Sequence, residues 1–165
     1  MAIELWKRTP AQRINDAYAK NEQAKEQYKN QDFKSAGEYY ISSIRDVIPI
    51  VLQTSEFEEE VRKLKVTCYS NLAACQLKLK QYDRVIINCN KGLELEPDNV
   101  KCLYRRATAH LSCEDIDNAE KDVKKLILLE PNNMAFRQLL SSLKIKVSDK
   151  NKLDAKFMRM FMNTS

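Results

Sequence analysis

Two stretches of this 165-residue chain superimpose at an offset of 34. The segment from Lys91 to Cys102, with Leu95-Glu96-Pro97-Asp98-Asn99 at its centre, lines up with Lys125 to Phe136, centred on Leu129-Glu130-Pro131-Asn132-Asn133. Leu72-Ala73-Ala74 likewise falls 34 residues before Arg106-Ala107-Thr108, and Tyr82-Asp83-Arg84-Val85 falls 34 before Ile116-Asp117-Asn118-Ala119. A fixed period of this length is the mark of a chain built by stacking one small unit, and it constrains the fold more than any local propensity does. Within each unit the spacing of apolar residues is helical. Ala73 and Ala107 are small enough for two helices to approach closely, with Val85 and Ala119 opposite them, and a proline ends each unit.

A third, weaker copy lies upstream. Ala24, Phe33, Ala36 and Tyr40 take the places of Ala73, Tyr82, Val85 and Cys89 at an offset of 49, which is 34 plus 15, so the first unit carries an insertion. The extra residues fall around Val47 to Glu60, where Pro49 and Thr54-Ser55 predict a lengthened helix, a turn and a capped restart, with Glu58 to Glu60 near the new helix start. The expected helices run from Thr9–Pro10 to Asn30, Asp32 to about Gln53, Glu56 to Lys80, Gln81 to Leu95, Asn99 to Ser112 and Asp115 to Leu129. A seventh begins near Pro131, a residue suited to a first helical turn. Its stripe of Phe136, Leu139, Leu140, Leu143, Val147, Leu153, Phe157, Met160 and Phe161 would close the open end of the stack, as solenoids require.

Composition excludes much else. With 2 glycines and 4 prolines there is neither turn chemistry for a sheet fold nor a glycine-rich phosphate loop. No apolar run approaches the roughly 20 residues that span a bilayer, and none reads as a secretion signal, so a cytoplasmic protein without membrane attachment is expected. Five cysteines without a close pair, beside 1 histidine, argue against a metal site and read as buried thiols in a reducing compartment. His110 reads as a packed core imidazole. Neither a nucleophile–base arrangement nor a cofactor motif is visible. The 28 basic residues are interspersed with 23 acidic ones, which disfavours nucleic-acid binding.

The 34-residue helix-pair period is that of the tetratricopeptide repeat, and it implies an all-α, right-handed superhelix of three helix pairs with a long C-terminal capping helix. In such a stack the first helix of each pair lines a concave, partner-binding surface. Lys101 and Arg105 stand four apart on one helix face, with Asn71 one unit away at the position equivalent to Arg105. This makes a donor-rich cationic pocket for carboxylates. The segments Tyr69 to Leu79 and Asp98 to Ala107 resemble the carboxylate-clamp repeats of Hsp90 co-chaperones, above all those of the large FK506-binding immunophilins and the aryl-hydrocarbon-receptor-interacting protein group. Trp6 ahead of the first helix and the Phe157 to Phe161 ending add to the likeness. The resemblance implies a domain over 9–165 after a flank at 1–8, with repeats at about 17–60, 66–99 and 100–133 and a capping helix at about 132–162. It implies a non-enzymatic module, without cofactor, that binds the acidic C-terminal tail of Hsp90, or of Hsp70, through Asn21, Lys25, Asn71, Lys101 and Arg105. The family places a lysine and then an asparagine at the first two positions; here Asn21 and Lys25 hold the reverse order. It also implies a prolyl-isomerase-type domain upstream of the chain, with Met1-Ala2 a cloning remnant. The reversed order keeps a second reading open: a groove turned to another protein partner, or weak homodimerisation through the Met- and Phe-rich last helix.

Overall fold

A computed structural model describes residues 8–48 and 57–162. Among them are seven α-helices and no strand: α1 (Pro10–Lys29), α2 (Phe33–Val47), α3 (Glu58–Lys78), α4 (Tyr82–Leu95), α5 (Val100–Ser112), α6 (Ile116–Leu129) and α7 (Met134–Met162). The helices pack as antiparallel neighbours in chain order, and α3 also touches both α1 and α5. The odd-numbered helices α1, α3 and α5 therefore form one inner layer of an all-α superhelical stack. Among the described residues no helix is long and apolar enough to cross a membrane.

The repeat is visible in backbone geometry as well as in side chains. Gln31, Lys80 and Glu114 are the described non-glycine residues with positive φ, at 63°, 57° and 61°. They stand 49 and 34 residues apart, the same two offsets as the sequence repeat. Each follows the first helix of its pair and closes it with the same two hydrogen bonds. Gln31 N–H donates to Tyr28 and Asp32 N–H to Gln27; Lys80 donates to Leu77 and Gln81 to Gln76; Glu114 donates to Leu111 and Asp115 to His110. This is the Schellman closure, in which a left-handed residue lets the chain reverse and satisfy the last carbonyls. The second helix then starts at once, capped in the first and third units by Asp32 Oδ1 accepting from Ser35 N–H (3.0 Å) and Asp115 Oδ1 accepting from Asn118 N–H (3.3 Å).

Between units a second device recurs. Asn99 N–H donates to Glu96 O, and its side chain both donates to Glu96 Oε2 and accepts from Cys102 N–H. Asn133 makes the matching bonds to Glu130 O and Oε2 and accepts from Ala135 N–H. Pro97 and Pro131 thus occupy the second position of a β-turn, where a fixed φ suits them. This corrects the expectation that Pro131 opens the last helix: α7 begins three residues later, at Met134. The restart after the insertion differs too. Helix α3 begins at Glu58 with Phe57 before it and no side-chain cap, and its support is the trio Glu58 to Glu60 at the positive end of the helix dipole. Trp6, Pro49, Thr54 and Ser55 lie outside the described residues, as do the side chains of Phe157, Met158, Met160 and Phe161.

The core is continuous but unit-wise. Ile14, Ala17, Ala24, Ala36, Tyr40, Val61, Leu64, Cys68 and Leu72 fill the first part, Ala73, Val85, Cys89 and Cys102 the middle, and Leu103, Ala107, Ala119, Val123, Leu126, Phe136, Leu139 and Leu143 the end. Cys68, Cys75, Cys89 and Cys102 are buried in the core. Cys113, which caps α5, is exposed, because the chain is already turning outward there. His110 is buried, with Nδ1 2.9 Å from Asp115 Oδ2 but outside hydrogen-bond alignment. Among the described side chains, the capping stripe of α7 packs on the stack as far as Val147; Leu153 is 65% exposed, so it does not contribute to the cover expected of it.

Candidate functional site

Three inner helices converge on one hollow, lined by Lys25, Tyr28 and Lys29 from α1, Tyr40 from α2, Asn71 and Ala74 from α3, and Arg105 from α5. Helical geometry explains the convergence. Asn71 and Ala74 lie three apart on α3, beside but not on the core stripe of Leu64, Cys68, Leu72 and Cys75. Arg105 flanks the core positions Cys102 and Leu103 in the same way on α5.

Arg105 is the best-positioned cation. Its Nη1 donates to the backbone carbonyl of Ser70 at 2.7 Å and also to the Ser70 hydroxyl, tying α5 to α3. Both partners are neutral, and among the described residues no carboxylate pairs with Arg105. The remaining guanidinium N–H groups keep their charge for a ligand, in a planar fork suited to carboxylates. Asn71 lies beside Tyr40 in the lining, and its amide favours the ionised form of the Tyr40 hydroxyl. Burial, reinforced by the nearby thiols of Cys75 and Cys68, pushes that phenol up to about 12, so it remains a neutral hydroxyl at physiological pH. The hollow therefore offers cations, an amide and a hydroxyl, and no acid among its lining residues.

The five residues expected from the sequence divide. Asn71, Arg105 and Lys25 line the hollow. Lys101 is exposed one turn before Arg105 and stands outside the lining. Asn21 does not reach it and is corrected here: it is 3% exposed and accepts a hydrogen bond from the Cys68 thiol at 3.3 Å. The reason is the α1 core stripe, where Ile14, Ala17, Asn21 and Ala24 follow one another at spacings of three and four, so position 21 faces inward. Lys25 is exposed and its ammonium lies 2.6 Å from Glu22 Oε1. Sequence reasoning passed over Lys29, Tyr28 and Tyr40. The signal available for Lys29 was its position four after Lys25, which puts the two on neighbouring turns of one face. Among the described residues no cluster of His, Cys, Asp or Glu is arranged to hold a metal ion.

Comparison with known proteins agrees with this architecture. The tetratricopeptide repeat matches residues 66–99 and 100–133. FK506-binding protein 59 of Drosophila melanogaster is 31% identical over 160 residues, covering 96% of this chain and 36% of that protein. The chain thus spans about a third of the length of that relative. The C-terminal repeat-containing domain of a putative FK506-binding protein from Plasmodium falciparum superimposes with a TM-score of 0.85 at 23% identity, covering 90% of this chain and 99% of that one. The myosin chaperone UNC-45 of C. elegans, solved in complex with an Hsp90 peptide, superimposes with a TM-score of 0.70 at 27% identity, over 82% of this chain and 14% of that one.

Proposed function

Since this chain is a tetratricopeptide-repeat domain of the FK506-binding immunophilin type, we propose that it is the module by which a co-chaperone holds the acidic C-terminal tail of Hsp90, with the related tail of Hsp70 as a second ligand. It is an interaction module and not an enzyme. One observation carries the reading: Asn71 and Arg105, from different repeats, meet in one acid-free hollow that Arg105 enters with its charge uncompensated. A peptide's terminal carboxylate offers a negative charge to the guanidinium N–H groups that Ser70 leaves unused. Lys101 would add charge at the rim, Lys25 from the facing helix, and Tyr28 and Ala74 an apolar wall. The complex with an Hsp90 peptide formed by the UNC-45 structure supports the same use of a like-shaped groove. Acting on such chaperones, the chain would work in the cytoplasm.

Calorimetric titration with a peptide ending Met-Glu-Glu-Val-Asp tests this. Saturable binding is expected with the free carboxylate and not with the amidated peptide, weakening as salt rises. Arg105→Ala should lower affinity by about 1–3 kcal/mol, the scale of a hydrogen bond to a charged group, and Lys101→Ala by less, given its place at the rim. Equal affinity for both peptides, or unchanged binding in both variants, would remove the assignment and leave the groove to another partner.

A further inference from the structure

We infer that Lys29, near the C-terminal end of α1, is the cation with which the first repeat meets the ligand's acidic end, in place of positions 21 and 25; this rests on the peptide-binding reading above. Asn21 is spent on Cys68 inside the core and presents nothing to the hollow. Lys25 lines the hollow, but its ammonium is held by Glu22 at 2.6 Å. An exposed pair of this kind contributes little to stability. It does place a carboxylate beside the ammonium, so an incoming anion at Lys25 meets attraction and repulsion together. Lys29 stands one turn further along the same helix and lines the same hollow as Asn71 and Arg105. It is exposed, and among the described residues no acid pairs with it.

Two further features suit Lys29 to the task. It lies in the last turn of α1, at the negative end of the helix dipole, which favours a cation. Its neighbour Tyr28 is set against Phe33 in an edge-to-face contact with ring centroids 5.1 Å apart, which fixes the wall beside it. The consequence is a displaced seat. Position 29 is eight residues past position 21, about 12 Å along the helix at 1.5 Å per residue. The ligand class this favours is a peptide whose terminal carboxylate meets Asn71 and Arg105 while an adjacent acidic side chain meets Lys29.

The test is calorimetry on the whole chain with the Met-Glu-Glu-Val-Asp peptide, comparing wild type, Lys29→Ala and Lys25→Ala at low and moderate salt, with circular dichroism to confirm unchanged helix content. Both substitutions are at exposed helix positions, where alanine is a good helix former. The expected result is a loss of about fivefold or more for Lys29→Ala, a smaller loss for Lys25→Ala, and a shallower salt dependence in the Lys29 variant. A loss in Lys29→Ala below that level, or one no greater than in Lys25→Ala, would overturn the inference while leaving the peptide-binding reading intact. Failure of the wild-type protein to bind the peptide would remove that reading, and this inference with it.

Discussion

Asn21 and Asn71 are both asparagines inside the first helix of a repeat, yet one is a core residue and the other a groove donor. The same contrast runs through the two parts of the molecule. The second and third units repeat with a strict 34-residue offset, so inner-helix and core positions in one correspond to those in the other. The first unit, with its insertion, has kept the stacking but redistributed its polar residues. Successive helical positions four apart are rotated by about 40° relative to each other. That is enough to carry a side chain from the core border to the groove, which separates Asn21 from Lys25. Stacking constrains the core stripe strongly because a buried face must be filled, whereas the groove edge is constrained only by whatever binds there.

The contrast is broken most forcefully at position 21. Restoring a lysine with Asn21→Lys would bury an unpaired charge beside Cys68 and should destabilise the fold by about 3 kcal/mol or more, measured by chemical denaturation. Asn71→Ala, by comparison, should change stability by no more than about 1 kcal/mol, because Asn71 is only half-buried at the groove edge. Similar losses in the two variants would mean that the two asparagines do not differ as described.

The glycines sharpen the same comparison. A methyl added at Gly92 in α4 would fall 2.7 Å from the Sγ of buried Cys102, while one added at Gly37 in α2 would meet only Leu72 Cδ1, at 3.4 Å. Gly92→Ala should therefore destabilise by about 1–3 kcal/mol through overpacking. Gly37→Ala should stabilise by up to about 1 kcal/mol, because the helix gains a better former without a serious clash. The two midpoints in urea should move in opposite directions.

The smallest effect concerns how the inner helices begin. Helix α1 starts with an uncharged capping box, in which Thr9 Oγ1 accepts from Gln12 N–H and Gln12 Oε1 accepts from Thr9 N–H. Helix α3 starts with glutamates, and hydrogen bonds from Arg62, then Lys63, hold Glu59 down from 4.5 to about 2. A carboxylate depressed on folding contributes stability that is complete above its unfolded value and lost as pH falls through its folded one. Protection factors at the start of α3, taken against the unstructured exchange rate at each pH, should therefore fall between pH 4.5 and about 2. Protection at the start of α1 should not follow the same curve, and Glu59→Gln should flatten the α3 response.

Much of this was legible beforehand. The offsets of 34 and 49 located every helix pair, because each unit must present a small residue where Ala24, Ala73 and Ala107 stand. Asn71 and Arg105 could be placed by position alone, since no insertion lies between their repeats. Asn21 was misplaced by carrying a position across an insertion, although Ile14, Ala17 and Ala24 already mark its face as inward. The left-handed residues were hidden for a different reason: Gln31, Lys80 and Glu114 occupy a conformation that usually selects glycine, so no local residue type announces it. Cys113 was grouped with the other thiols because composition alone does not separate a helix interior from its cap.

The turn at Glu96 to Asn99 and its copy at Glu130 to Asn133 bring one last implication. Each asparagine clasps the glutamate of the outgoing helix and one early amide of the incoming one, so the joint is built alike at both ends of the third unit. Excising the 34 residues between them would rejoin closely matching hardware. The architecture can thus lengthen or shorten by whole modules, changing the length of its inner groove without redesigning a single hinge.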